Sequence, residues 1–392
     1  MTRGRSRAER STGGGGPAKS AGSAAAGNAA RDNPTGSGAA KPPGSGARAK
    51  PARGGAALRR RRCAAQLLAG AGDRDPVGAV SHLLAVQAQD LRAARLALRA
   101  RGAASTAADV DAALTDDRSL VVGWLLRGTL HLVAREDYPW LHTLTAPLSA
   151  AVSRRRLPQL GARFEDAAPV VLRALGEEGP LPRAALSERV TAAGIPAEGQ
   201  VVPHVLALTA AEGRIVLGPI ADGAQCFALA DDWLGPMTAA DRDSSLAELA
   251  RRYLRGHGPA TAADLAAWSG LPLSDARAGL AAIARELVQD GELADLADRP
   301  EPPRRLPPRL LPAFDPYLLG WRDRSFAVAA EHARRVHPGG GILRATAVVD
   351  GRVVGTWARR RGRVEVEPFA ALPPRVAAAL EREAGEVARF EA

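Results

Sequence analysis

An α+β fold, mainly helical and closing on a small β-rich module, is what the 392-residue sequence predicts. Three observations carry it. Apolar residues recur at helical spacing from residue 57 onward, with only short interruptions of period two. Aromatics make up 4% of the chain, so its 46% hydrophobic content is mostly Ala, Leu and Val, residues that let helices approach closely. Beyond Pro300 the pattern becomes short Val-rich runs separated by Gly-containing turns, which reads as strands. A chain of this length exceeds the size at which one core keeps growing, so several domains are expected.

Residues 1–55 are Gly, Ala, Ser, Pro and Arg with almost no bulky apolar side chain, a composition that cannot offset the entropy of ordering. They read as a disordered basic tail, either a source of non-specific phosphate affinity or a solubilising leader. The first folded unit, 56–150, carries Leu58, Ala64, Leu67 and Leu68, then Val77, Val80, Leu83 and Leu84, then Leu91, Ala94 and Leu98, which suit three amphipathic helices. Thr106 is placed to cap a fourth bearing Val110 and Leu114. The period then switches to two: Leu120–Leu126 and Thr129–Val133 flank Arg127-Gly128 as a hairpin.

An internal repeat follows. Leu175, Gly179-Pro180 and Leu186 match Leu254, Gly258-Pro259 and Leu265 at a constant offset of 79 residues. Each Gly-Pro ends one helix and introduces the next, and a longer apolar helix is expected after it, over Val201–Glu212 in the first copy and Leu280–Gln289 in the second. Strands at Ile215–Leu217 and Cys226–Leu229 complete the first copy. Helix, helix, helix, hairpin is the winged-helix order, a helix-turn-helix variant. Tandem winged-helix units are therefore predicted. Such units serve protein contacts as well as DNA, but several in one chain favour nucleic acid, because repeated modules can track a duplex.

The last segment, 300–392, begins Pro-rich and continues through Arg309–Pro312, Leu343–Val349, an Asp350-Gly351 turn, Val353–Trp357 and Val364–Val366. It predicts a small β-barrel-like module, closed by a helix over Pro373–Arg389 with Pro at its start.

Charge narrows the function less than its total suggests. The net charge is +11, but residues 1–55 hold ten Lys+Arg and two Asp+Glu, so only +3 belongs to the remainder. A DNA-binding face must then come from local Arg clustering. Lys19, Lys41 and Lys50 are the only lysines and all lie in the tail, which excludes a lysine Schiff base or a P-loop lysine from the folded region. Cys63 and Cys226 form no metal-ligand spacing, so neither a disulfide framework nor a zinc site is expected, and no metal or cofactor is predicted. With no apolar run of membrane length and no signal peptide, a cytoplasmic location and no membrane partner are the default.

Chemistry concentrates in Leu84-Ala85-Val86-Gln87-Ala88-Gln89-Asp90-Leu91, where two amides and an acid interrupt apolar sequence. Residues i and i+2 point apart on a helix, so Gln87 and Gln89 converge only in a turn or at a helix start. Otherwise one caps a helix and the other faces solvent. Asp90 is better placed as the N-cap of the third helix than as a catalytic acid.

Four blocks in order resemble the AlkZ-type winged-helix DNA glycosylases. They are Gln87-Ala88-Gln89-Asp90, matching a Gln-x-Gln pattern, Leu126-Arg127-Gly128-Thr129-Leu130-His131-Leu132-Val133, Leu311-Pro312-Ala313-Phe314-Asp315-Pro316-Tyr317-Leu318-Leu319-Gly320, and Val349-Asp350-Gly351-Arg352-Val353-Val354-Gly355-Thr356-Trp357. The second block departs from the family pattern at Leu130, where many relatives place a Trp before the His. The resemblance implies three tandem winged-helix motifs, at 56–150, 160–235 and 240–298, and a β module around a DNA-sized channel, excision of alkylated purines including those in interstrand crosslinks, and Gln87 and Gln89 beside the reacting sugar.

That chemistry needs no strong base. An N7-alkylguanine carries positive charge and is already a good leaving group, so placing a water and tolerating an oxocarbenium-like sugar suffice, and a carboxamide can do the former. Gln87 and Gln89 are thus the candidate catalytic pair. Arg127, Thr129 and His131 on the hairpin are candidate DNA contacts, with His131 alternatively a solvent-facing hairpin residue. Arg154, Arg155 and Arg156 are candidate phosphate contacts, as are Arg59–Arg62 and Arg359–Arg361; one or two of these three clusters are expected to touch DNA. Without lysine the excision would be monofunctional, on double-stranded, alkylated DNA. The alternative is a non-catalytic winged-helix DNA-binding or regulatory protein.

Overall fold

A computed structural model describes residues 55–70, 75–237 and 240–391. The expected tail lies outside them apart from Gly55, and the three lysines with it. Helix α1 (Gly55–Ala65) precedes a first unit of α2 (Pro76–Leu83), β1 (Val86–Gln87), α3 (Leu91–Ala100), α4 (Ala107–Thr115), β2 (Leu120–Trp124) and β3 (Leu130–Ala134). Helix α5 (Tyr138–Arg156) leads to a second: α6 (Phe164–Glu178), β4 (Leu181–Pro182), α7 (Arg183–Ala192), α8 (Val201–Ala211), β5 (Ile215–Ala221) and β6 (Ala224–Leu229). After α9 (Ala230–Leu234) comes a third: α10 (Arg242–His257), α11 (Ala262–Ser269), α12 (Leu273–Ala282), β7 (Leu287–Asp290) and β8 (Leu293–Leu296).

The three share one order, and in each a short extended piece between the first two helices pairs with the second hairpin strand. The pairs are β1 with β3, β4 with β6, and an Ala260–Ala294 bridge onto β8. The 79-residue repeat marks equivalent positions: Leu175 and Leu254 are buried on α6 and α10, Gly179 and Gly258 cap those helices, and Leu186 and Leu265 are buried on α7 and α11. One expected element is corrected. Leu280–Gln289 is not a helix; α12 ends at Ala282 and Leu287–Asp290 is a strand. Leu280, Ile283 and Leu287 fit a helical spacing, but Gly291, at φ 61°, folds β7 back on β8, so hairpin pairing overrides the spacing.

The first two hairpins merge through a Val122–Leu217 pair into a six-stranded sheet of order β1-β3-β2-β5-β6-β4. The C-terminal segment holds β9 (Arg309–Leu311), α13 (Pro316–Leu319), α14 (Ala333–Val336), β10 (Thr346–Val349), β11 (Arg352–Arg360), β12 (Arg363–Pro368) and α15 (Pro374–Phe390). Its four strands, in the order β12-β11-β10-β9, form an open sheet and not the barrel-like module expected. Four strands are too few to close around filled side chains. Instead Leu380, Val387 and Phe390 of α15, with Leu96 of α3, pack on the sheet's Leu310 and Trp357. The β10–β11 turn falls at Asp350-Gly351, with φ 47° and 73°. A Cβ at Gly351 would meet Tyr317 Oη, Arg59 Cβ and Cys63 Sγ at 3.0–3.1 Å, so only glycine fits that seam.

Arginines bind the units internally, in a described region without lysine. Arg101, fully buried at the end of α3, forks onto Asp315, with both Nη–Oδ distances 2.9 Å, and also donates to Gln66 Oε1 at 2.8 Å. Gln66 in turn donates to Gly256 O at 2.7 Å, and Asp315 caps α13 by accepting from Tyr317 N. One guanidinium therefore ties the segment after α1, α3, α10 and the C-terminal module together. Asp315 is thus an internal anchor. Arg252 forks onto Asp137 at 2.7 and 3.0 Å, fixing the start of α5 to α10. The planar fork suits this use because two parallel bonds are made at once. Asp315→Ala leaves the Arg101 charge buried without its partner, and should lower unfolding free energy by about 3–5 kcal/mol in urea titration; a loss below about 1 kcal/mol, the range of an exposed pair, would contradict the role given to the fork.

Candidate active site

Gln87 and Gln89 lie on a short path between two helices that cannot be helical itself. Leu84, at the end of α2, has φ 68°, which breaks the helix and sends Val86-Gln87 into pairing with Leu132 and His131 of β3. Asp90 then accepts from Arg92 N and Ala93 N at 3.0 and 3.3 Å and starts α3, the cap its position predicts. Between these anchors Ala88 is buried and its N–H bonds to Leu130 O at 2.8 Å, so the flanking glutamines emerge on the same, outer side. Gln87 is half-buried, Gln89 exposed, and they meet: Gln87 Nε2 donates to Gln89 Oε1 at 3.2 Å.

The hairpin turn supplies the rest. Arg127 adopts φ 55°, ψ 14°, a left-handed conformation that turns its side chain inward under Gln87. Its Nη2 donates to Gln87 Oε1 at 3.3 Å and lies 3.4 Å from His131 Nε2, while Nη1 donates to the Trp268 carbonyl on α11. A Cβ on Gly270 would come within 3.0 Å of Arg127 N and Cα, so the close approach of α11 to the turn requires glycine there. Because a guanidinium only donates, it fixes which end of the Gln87 amide is oxygen and leaves Nε2 to face Gln89. All of its acceptors here are neutral.

His131 is buried, with 2% of its surface exposed. Its Nδ1 lies 2.9 Å from Thr129 O, a carbonyl that can only accept, so Nδ1 carries the proton and Nε2 is the bare acceptor facing Arg127. Burial, and then the Arg127 charge, push its pKa down to about 3 despite the Thr129 bond. Burial and the nearby Arg324 charge bring Arg127 down to about 10, still a cation at neutral pH.

The predicted residues thus divide. Gln87, Gln89, Arg127 and His131 come together. His131 does not face solvent, the alternative left open above. Arg127 points at Gln87 and Trp268. Thr129, half-buried, returns its hydroxyl to Leu126 O at 3.2 Å. Arg154, Arg155 and Arg156 end α5 on its outer side; Arg154 reaches Glu212 at 3.6 Å and Arg156 donates to Gln159 at 3.0 Å. The Arg59–Arg62 cluster is corrected: Arg59 donates to Phe326 O, Arg61 pairs with Asp295 at 3.0 Å, and Arg62 is buried against Trp321 and Phe326, because α1 lies along a seam and not on a free face. Arg359, Arg360 and Arg361 are exposed around the β11–β12 turn, with Arg359 2.9 Å from Glu391 and Arg360 3.8 Å from Glu365. Trp268 and Gly270 are site residues that sequence reasoning missed, since nothing in the local pattern ties them to a hairpin some 140 residues earlier.

Among the described residues no group of three or more His, Cys, Asp or Glu side chains is placed to hold a metal ion, and no helix is long and apolar enough to cross a membrane. Two surface clefts, of about 470 and 500 Å³, are lined by other residues, and Gln89 is exposed beside the half-buried Gln87.

A family model described as DNA glycosylase AlkZ-like matches residues 80–390. An interstrand DNA cross-link repair glycosylase from Streptomyces sahachiroi is 29% identical over 340 residues, covering 79% of this chain and 89% of that protein. The solved structure of the Streptomyces sahachiroi DNA glycosylase AlkZ superposes with a TM-score of 0.69 at 25% identity, covering 86% of this chain and 96% of the other.

Neutral His131 has a consequence for acid stability. The unfolded chain takes up this proton near pH 6.5 and the folded one only near pH 3. Stability is therefore full above about pH 6.5 and falls as pH falls toward 3, by up to about 1.4 kcal/mol per pH unit for this one proton. Urea titrations between pH 7 and 4 should show a shallower acid loss in His131→Asn than in wild type, by the share of one proton; parallel curves would contradict a neutral His131.

Proposed function

The chain belongs to the AlkZ-like DNA glycosylase family, and on that premise we propose that it excises N7-alkylated purines from double-stranded DNA by water attack at C1′, with Gln87 and Gln89 as the catalytic pair. The observation that carries this reading is the directed hydrogen-bonded pair of amides with Gln89 exposed, its sense set by Arg127. Each carbonyl oxygen keeps a second lone pair, and the outward Gln89 amide adds two hydrogens, so the pair can hold a water against the sugar. The C1′–N9 bond breaks with its electrons passing to the cationic purine, which leaves neutral. The water oxygen bonds to C1′, and its proton is lost to solvent. Electrostatic help is modest here because the leaving group carries the charge that drives its departure.

The three αβααββ units are read as winged helices, here two of them fused through one sheet. Arg154, Arg155 and Arg156 are read as phosphate contacts, and Thr129 as a hairpin residue near the strand. Arg127 and His131 hold Gln87 in place and do not touch DNA. The relative's name extends the reading to crosslinked purines. With no lysine among residues 55–391, the reaction ends at an abasic site and forms no imine with a core side chain.

Duplex containing N7-methylguanine, incubated with excess protein, should release the base. Gln87→Ala/Gln89→Ala should lower the single-turnover rate by about 100-fold or more while duplex affinity stays within about twofold. Borohydride quenching should trap no protein–DNA adduct. No release by wild type would favour a non-catalytic DNA-binding protein, and a trapped adduct would overturn the monofunctional reading.

A further inference from the structure

Among the described residues, five large hydrophobic side chains stand out as exposed: Leu148, Val152, Leu273, Val288 and Ile342. Scattered singly, such residues need no explanation. Three of these five, however, flank one turn. Ser149 of α5 faces Gly128, its Cα and Cβ 3.7 Å from where a Gly128 Cβ would sit, and the next residue outward is Leu148, 36% exposed. Val152, 48% exposed, lies one helical turn further along the same side. Across the turn Gly270 packs on the Arg127 backbone, and three residues on, at the start of α12, Leu273 is 38% exposed. Apolar side chains thus rim Arg127-Gly128 on two sides, next to the glutamine face.

Charge selects the occupant. Helix α5 contains no Asp or Glu over its 19 residues, and its exposed side runs from Pro147, Leu148, Ala151 and Val152 into Arg154 and Arg155. An apolar stripe ending in exposed guanidiniums matches a nucleic-acid strand, whose deoxyribose faces are apolar and whose edge is phosphate. It does not match a protein partner as well, because the rim is split by the polar turn and each half is only one or two side chains wide, far below the 20–30 residues a side of a stable protein interface. We propose that Leu148, Val152 and Leu273 are a DNA-contacting rim, lying against sugar faces of the duplex on either side of the target nucleotide, with Arg155 and Arg154 following the phosphates. The proposal rests on the reading that the glutamine face meets DNA.

Apolar and ionic contacts differ in salt dependence. Each phosphate neutralised steepens the fall of log K with log salt, whereas an apolar contact releases no counterion. Leu148→Ala/Val152→Ala keeps a strong helix former at both exposed positions. In fluorescence-anisotropy titrations with duplex carrying N7-methylguanine, this variant should bind about tenfold more weakly than wild type at fixed salt, with an unchanged salt slope. Leu273→Ala should weaken binding by a smaller factor, and Val288→Ala, on the β7 hairpin strand and outside the rim, should bind within about twofold of wild type. Arg154→Ala/Arg155→Ala should instead flatten the slope. The rim is overturned if Leu148→Ala/Val152→Ala binds as Val288→Ala does, or if it changes the slope. Base release is measured separately in the same samples: tight binding by wild type without release refutes excision and leaves the rim standing, whereas release with a rim variant that binds normally refutes the rim alone.

Discussion

A desolvated guanidinium whose acceptors are all neutral governs the polar groups at the candidate site. Arg127 donates to Gln87, approaches His131 and reaches the Trp268 carbonyl, and among the described residues no carboxylate pairs with it. That charge sets the sense of the Gln87 amide and hence the direction of its bond to Gln89, and it adds to burial in keeping His131 neutral, while the Thr129 carbonyl fixes the His131 tautomer. It also clips the first hairpin to α11 of the third unit. The left-handed backbone at Arg127 and the absent side chain at Gly270 are the local conditions that permit it.

The rest of the molecule uses arginine in a related way. Arg101 and Arg252 are buried forks on Asp315 and Asp137, and Arg62 lies over Trp321 and Phe326. Part of the arginine charge of the described residues is therefore held inside the molecule. Net charge alone overstates the DNA-facing surface, because several of the guanidiniums counted in it are internal fasteners. Runs of three arginines, all exposed but Arg156, stand at the end of α5 and around the β11–β12 turn, where Arg154, Arg359 and Arg360 also have carboxylates at 3.6, 2.9 and 3.8 Å.

Much of the fold was legible because it is local. Hydrophobic spacing, Gly-Pro punctuation and the 79-residue offset mark helices and hairpins that the structure contains, and Thr106, Asp90 and Asp350-Gly351 act as the caps and turn their residue types suggest. Leu280–Gln289 was misread because an apolar spacing shared by helix and hairpin is settled by pairing with β8, a tertiary event. The Gln-x-Gln pair was legible as chemistry, but its convergence depends on Leu84 leaving the helix and on Ala88 pairing with β3. The inward turn of Arg127 and the burial of His131 were not legible at all. Arg127 is held by the Trp268 carbonyl of α11, some 140 residues away in sequence, and His131 is enclosed by tertiary packing that local spacing does not encode.

The most direct test of this account separates positioning from DNA contact at Arg127. Arg127→Met keeps a side chain of similar length and removes every donor. Single-turnover release of N7-methylguanine should fall about 100-fold while duplex affinity and its salt slope remain those of wild type, because the lost guanidinium held Gln87 and touched no phosphate. A variant that loses affinity and flattens the salt slope, or that excises at the wild-type rate, would contradict the central claim.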